Sequence, residues 1–198
     1  MIRITIILAA VLSLGFTPVA AQDFNKGAQA YYEGDYQAAL QEWLPLAGQG
    51  DVNAQYLVGE MYRRGQGGIV DYAEALKWYR LAAEQGLANA QYTLGTMYRK
   101  GEGVQQDDGE AVKWYLQASV QGYSPAQTRL GYMYAQGLGV PENFLLSYMW
   151  SNISNLSGDD DAKKNRDLVA LMMTAEDVST AWDMTSECMG SNYQNCGY

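Results

Sequence analysis

Apolar residues in this chain follow two helical spacings that return at a fixed interval. Within 53–64, Ala54, Val58, Met61 and Tyr62 stand at i, i+4, i+7 and i+8, one face of an α-helix. A second run starting at Asp71 sets Ala75, Trp78, Tyr79 and Ala82 on one stripe, which predicts a second helix packed through that stripe. The pair then recurs without gaps, so that 51–86, 87–122 and 123–158 align position for position. Ala54, Ala90 and Ala126 match, as do Gln55, Gln91 and Gln127, and Trp78, Trp114 and Trp150. A constant period of this size predicts an all-α solenoid of stacked antiparallel helix hairpins.

The polar positions punctuate the same pattern. Gly65, Gly101 and Gly137 follow the first helix of each unit and suit a left-handed cap, with a second glycine two residues later. Asp71, Asp107 and Asn143 are favoured N-caps for the second helix, and Glu74 and Glu110 complete a capping-box pattern in two units. Ser124 and Pro125 suit the start of the first helix in the third unit. Gly59, Gly95 and Gly131 recur inside that helix, where glycine costs about 1 kcal/mol against alanine. Their recurrence between packing residues predicts a close helix approach that a Cβ would block.

Outside the three units the pattern loosens. Residues 22–50 read as a shorter hairpin with a tight turn over Tyr32–Asp35 and a second helix that Pro45 is expected to kink. Beyond 158, a helix over about Asp160–Met173 and another started by Thr174 and Asp177 are expected to cover the exposed end of the stack. In the third unit Ser151, Asn152, Ser154 and Asn155 replace the aromatic and alanines seen earlier.

The shared residues resemble the Sel-one-like repeat (SLR) family, relatives of the tetratricopeptide repeat. Leu94, Gly95, Tyr98, Gly101, Gly103, Val104, Asp107, Ala111, Trp114, Ala118 and Gly122 match its pattern position for position. Residues 22–50 look closer to an ordinary tetratricopeptide hairpin. The resemblance implies a right-handed superhelix with the first helix of each hairpin on a concave face, and a role as an adaptor that binds other proteins. Exported bacterial members of this kind occur in envelope assembly, regulation and contact with host cells.

The N-terminus supplies an address. Arg3, an apolar run over Ile4–Phe16, Pro18, and small residues at Val19 and Ala21 form a signal-peptide pattern with cleavage after residue 21. The expectation is a periplasmic or secreted protein with no membrane span after leader removal. Two cysteines, Cys188 and Cys196, are then expected to form a structural disulfide. The chain carries 13 Lys and Arg against 22 Asp and Glu, and loss of Arg3 makes the balance more acidic still. Nucleic acid and anionic lipid surfaces reward clustered cations, so neither is an expected partner.

Catalytic motifs are absent from the chain. It contains no His, which removes imidazole bases and His-based triads and zinc sites. No S-x-x-K occurs, and Ser124 in GYSPA is only a near miss to G-x-S-x-G. Asp159, Asp160 and Asp161 lack the spacing of a calcium loop and read as a turn and helix start. No catalytic residue, metal ligand or cofactor site is therefore expected. The alternative is an envelope hydrolase of cell-wall or β-lactam type, because two acids suffice for glycoside hydrolysis, but no pair is singled out.

Partner contacts are expected from first-helix side chains that point away from the second helix. Tyr56, Tyr92 and Thr128 share one such position, Glu60, Thr96 and Tyr132 another, and Arg63, Arg99 and Ala135 a third. Tyrosine and arginine are frequent interface anchors. The candidate partner-binding residues are Tyr56, Tyr92, Arg63, Arg99 and Tyr132. Their partner is expected to be a protein or peptide.

Overall fold

The computed structural model describes residues 23–197, so the leader reading over 1–21 lies outside the described residues. Helices and turns make up these residues. In order they are α1 (Phe24–Glu33), α2 (Tyr36–Gly48), α3 (Val52–Arg64), α4 (Tyr72–Glu84) and α5 (Ala88–Lys100). Then come α6 (Asp108–Ser119), α7 (Ser124–Gln136), α8 (Phe144–Leu156), α9 (Asp160–Ala170) and α10 (Ala175–Gly190). Each helix from α1 to α8 packs on the next in sequence, and α10 returns to pack on α8. Contacts confined to near neighbours make this an α-solenoid. Among the described residues no helix is long and apolar enough to cross a membrane.

The recurrent residues are the joints of the stack. A Cβ on Gly59 would lie 3.1 Å from the Tyr79 ring, and one on Gly95 would lie 2.9 Å from the Tyr115 ring. One on Gly131 would fall onto Ser151 Oγ. The helix penalty of these glycines is thus offset by the contact they allow. In the loops, Gly65, Gly101 and Gly137 are left-handed caps. The second glycine serves the next hairpin over: Gly103 sits against the backbone of Tyr72, and Gly139 against that of Asp108. The recurring glutamines are staples. Gln55, Gln91 and Gln127 are buried, and their Nε2 atoms donate to the carbonyls of Ala47, Ala83 and Ser119 at 3.0, 3.1 and 3.0 Å.

Two expectations need correction. The tryptophans are not equivalent core residues: Trp150 is fully buried, whereas Trp78 and Trp114 are half-buried. The deepest aromatic in α4 and α6 is the next residue, Tyr79 or Tyr115, which lies across Gly59 or Gly95 of the first helix. Trp150 differs because α8 is also covered by α10, a layer that α4 and α6 lack. The capping boxes are also only half formed. Asp71 and Asp107 do cap α4 and α6, but Glu74 and Glu110 turn to Lys77 and Lys113 instead. A complete box forms at α10, where Thr174 and Asp177 bond reciprocally. Pro45 lies inside α2, which continues to Gly48.

The drift in the third unit marks a polar seam. Ser151 Oγ accepts from Asn165 Nδ2 of α9 at 2.6 Å, and Asn152 Oδ1 accepts from Arg166 Nη1 at 3.2 Å. Ser154 Oγ meets Ser124 and Thr128 hydroxyls at 2.7 and 2.8 Å. Buried polar groups persist where each finds a partner, so α8 recruits α9 by hydrogen bonds as well as by apolar burial. Beyond α10, Cys188 is bonded to Cys196, and both are buried in the largest apolar cluster, with Trp150.

Candidate functional site

The helix-A face is built from α3, α5 and α7, whose first-helix register is held by the glutamine staples and glycine contacts. Tyrosines bridge along it. Tyr56 packs on Tyr79 with ring centroids 5.6 Å apart. Tyr92 packs on Tyr115 at 5.6 Å and on Tyr123 at 5.5 Å. Tyr56 and Tyr92 are both half-buried, with rings that serve the core on one side and the surface on the other.

The two candidate arginines differ in what surrounds them. Arg63 is consumed by its own unit. Its Nη2 reaches both carboxylate oxygens of Glu60 at 3.2 Å, and its Nε donates to Tyr79 Oη at 3.2 Å. Tyr79 Oη donates to the same carboxylate at 2.5 Å, and Arg64 Nε adds a contact at 2.7 Å. Burial pushes the Glu60 carboxyl up, but the Tyr79 hydrogen bond and the Arg63 charge outweigh it, and its pKa ends below the ordinary value. Tyr79 is driven up by burial and by the adjacent carboxylate.

In the second unit Thr96 stands where Glu60 does. Its hydroxyl meets Tyr115 Oη at 3.0 Å, and no carboxylate replaces the missing one. Arg99 has no ion pair among the described residues, and its Nε is buried without a hydrogen-bond partner. Tyr115 is held above the usual tyrosine pKa by burial, while Thr96, Arg99 and Arg129 act in the opposite direction. The two arginines therefore bear on one hydroxyl. Arg129, on α7, is exposed, and the neighbouring Tyr92 hydroxyl holds its pKa above the ordinary value.

Tyr132 belongs to a different neighbourhood. It is 43% exposed and lines an apolar cavity of about 350 Å³ with Phe144, Leu168 and Met172. The structure thus sets Tyr92 beside Arg129, leaves Arg99 on the same helix as Tyr92 without an ion pair, sets Tyr56 with a satisfied Arg63, and leaves Tyr132 facing α9. Arg129 and Tyr123 escape a reading that samples only the three chosen helix positions. The available signal was that Arg129 occupies the place of Leu57 and Thr93, a charge that its sister units lack.

The hydroxyl and acidic side chains near this face are engaged with one another. Ser124 Oγ is 2.7 Å from Ser154 Oγ, with no general base in the contact. Asp159 caps α9 and accepts from Thr128 Oγ1 at 2.9 Å, and Asp161 is paired with Lys164 at 2.8 Å. Among the described residues no group of three or more His, Cys, Asp or Glu is placed to hold a metal ion.

Residues 52–87, 88–123 and 124–159 each match the family model of the Sel1 repeat. The chain belongs to the Sel1 repeat family. The matched repeats each begin one residue later than the units drawn from the sequence. Sel1 repeats are generally protein–protein interaction scaffolds and are typically non-catalytic. The fold of this Sel1 repeat chain is similar to that of a Sel1 repeat protein from Oxalobacter formigenes. The two share 28% identity with a TM-score of 0.71, over 87% of this chain and 73% of that one. It is also similar in fold to c5321, a protective antigen present in uropathogenic Escherichia coli strains and displaying an SLR fold. That likeness has a TM-score of 0.60 at 22% identity, over 86% of this chain and 46% of the antigen. No curated protein sequence matches the chain.

Proposed function

We propose that this chain is an exported adaptor of the bacterial envelope that holds a protein or peptide partner on its helix-A face. The observation that carries the reading is the contrast between fixed and free positions. Glycine, glutamine and aromatic residues at the hairpin joints recur and are spent on packing. Tyr92, Arg99 and Arg129 vary between units, and Arg99 Nε is left without a hydrogen-bond partner. Interfaces draw their energy from such aromatic and arginine anchors. Export is supported by the leader pattern at residues 1–21 and by the Cys188–Cys196 disulfide, a bond suited to an oxidising compartment. The test is affinity purification from the native envelope, read by mass spectrometry. A partner retained by the wild-type protein should be lost from a Tyr92→Ala, Arg99→Ala double variant that still melts cooperatively. Full retention of every partner by that variant would reject the face.

A further inference from the structure

The cations on the helix-A face narrow the class of occupant, an inference that rests on this face being the docking site. The protein as a whole is acidic, with a formal net charge of −9. Most of the cations on α3, α5 and α7 are already committed. Arg63 and Arg64 share Glu60, and Lys100 pairs with Glu102 at 3.5 Å. Arg99 and Arg129 are the exceptions, with no carboxylate at ion-pair distance among the described residues. They stand on the first helices of neighbouring hairpins, about the Tyr92–Tyr115 ring pair: Arg99 follows Thr96, whose hydroxyl meets Tyr115 Oη at 3.0 Å, by three residues, and Arg129 lines one cavity with Tyr92. A partly buried guanidinium with an unpartnered Nε is a standing desolvation cost, and an arriving carboxylate removes it with a charge-assisted hydrogen bond.

The surroundings set the shape of the occupant. Beside Arg129 lies a shallow cavity of about 160 Å³ lined by Tyr92, Thr128 and two aspartates. Those aspartates are engaged: Asp159 caps α9 and takes the Thr128 hydroxyl, and Asp161 is held by Lys164. One turn along α7, on the same helix face, Tyr132 opens the apolar cavity walled by Leu168 and Met172, which are 62% and 69% exposed. A cationic point and an apolar hollow thus lie side by side.

We infer that the helix-A face takes an extended acidic segment of a partner protein, its carboxylate seated between Arg99 and Arg129 and a neighbouring apolar side chain seated in the hollow beside Tyr132. The carboxylate belongs either to an Asp or Glu side chain or to the partner's C-terminus.

The test is a selection of phage-displayed random dodecapeptides on the purified protein, followed by fluorescence anisotropy with synthetic copies of the enriched sequences. Enriched peptides should place Asp or Glu next to an aliphatic or aromatic residue. Their Kd should weaken at least tenfold in the Arg99→Gln, Arg129→Gln double variant and by less than twofold in Arg64→Gln. Each synthetic peptide is made as free acid and as amide, and with Asn or Gln for its acids, so that the two carboxylate sources separate. Circular dichroism melting establishes that each variant is folded. The single Arg129→Gln variant, at an exposed position, carries the test if the double variant does not fold. Enrichment of basic or purely apolar peptides that compete at Tyr92 would overturn the acidic segment while leaving the face intact. Peptides indifferent to Tyr92, Arg99 and Arg129 alike, or no enrichment at all, would overturn both. A dimer that the double variant breaks would also overturn the inference, because the occupant would then be a second copy.

Discussion

Glu60 and Thr96 occupy the same place in successive repeats, and that single difference decides the state of the arginine three residues later. With Glu60, the guanidinium of Arg63 is locked onto a buried carboxylate and a tyrosine hydroxyl. With Thr96, Arg99 keeps its charge unanswered. The locked unit has a pH signature. The Glu60 carboxyl is held below its ordinary value of 4.5, so its charge contributes stability at neutral pH. That contribution is lost as pH falls below about 4.5 and through the folded-state value. Glu60→Gln should therefore cost about 1–3 kcal/mol at pH 7, and the deficit should shrink toward pH 3. Urea unfolding at both pH values checks this, and a deficit independent of pH would contradict the network. At this scale the sequence was informative where residues repeat. The glycine at 59, 95 and 131 announced a close approach through its recurrence alone. It was less informative where they vary, because no single-unit pattern says that Arg63 is satisfied and Arg99 is not.

Helices and their ends were legible because period, caps and left-handed glycines agree with one another. What escaped the sequence were choices among equivalent neighbours. Trp114 and Tyr115 are adjacent on a helix, and only the position of the glycine on α5 decides that the tyrosine crosses the seam while the tryptophan flanks it. Glu74 and Glu110 fit a capping box by spacing, but a lysine three residues on competes for each carboxylate. One staple also lacks a part that its sisters have. Gln85 and Gln121 each donate to the staple glutamine of their own unit at 2.7 Å, through Gln55 Oε1 and Gln91 Oε1. Ser157 holds the matching position at the end of α8, and Gln127 Oε1 is buried without a partner. Ser157→Gln should supply the missing donor and stabilise the fold by about 0.5–1.5 kcal/mol. Thermal melting of that variant, beside Ser157→Ala as the control, checks it. Equal melting temperatures for the two would show that the third staple is satisfied in some other way.

A stack of this kind has ends, and the far end here is closed by α9 and α10 through different means. The polar seam of Ser151, Asn152 and Ser154 bonds α8 to its neighbours, while the Cys188–Cys196 link pins the residues after α10 back onto the core around Trp150. Because each element of a solenoid touches only its neighbours, loosening an end is transmitted inward one interface at a time. The loop closed by the disulfide is short, with a sequence separation of 8, so its entropic contribution is modest, about 2–3 kcal/mol. For a domain of this size that corresponds to a melting temperature about 4–12 °C lower on reduction. The structural consequence is directional. Amide exchange under reducing conditions should accelerate first in α10 and then in the α8 amides beneath it. The α5 and α6 amides, farther along the stack, should keep their protection until global unfolding. Mass-spectrometric hydrogen exchange with and without reductant measures this directly. Uniform loss of protection across all helices would mean that the stack unfolds as one cooperative block, and that the disulfide stabilises the whole binding face rather than its edge.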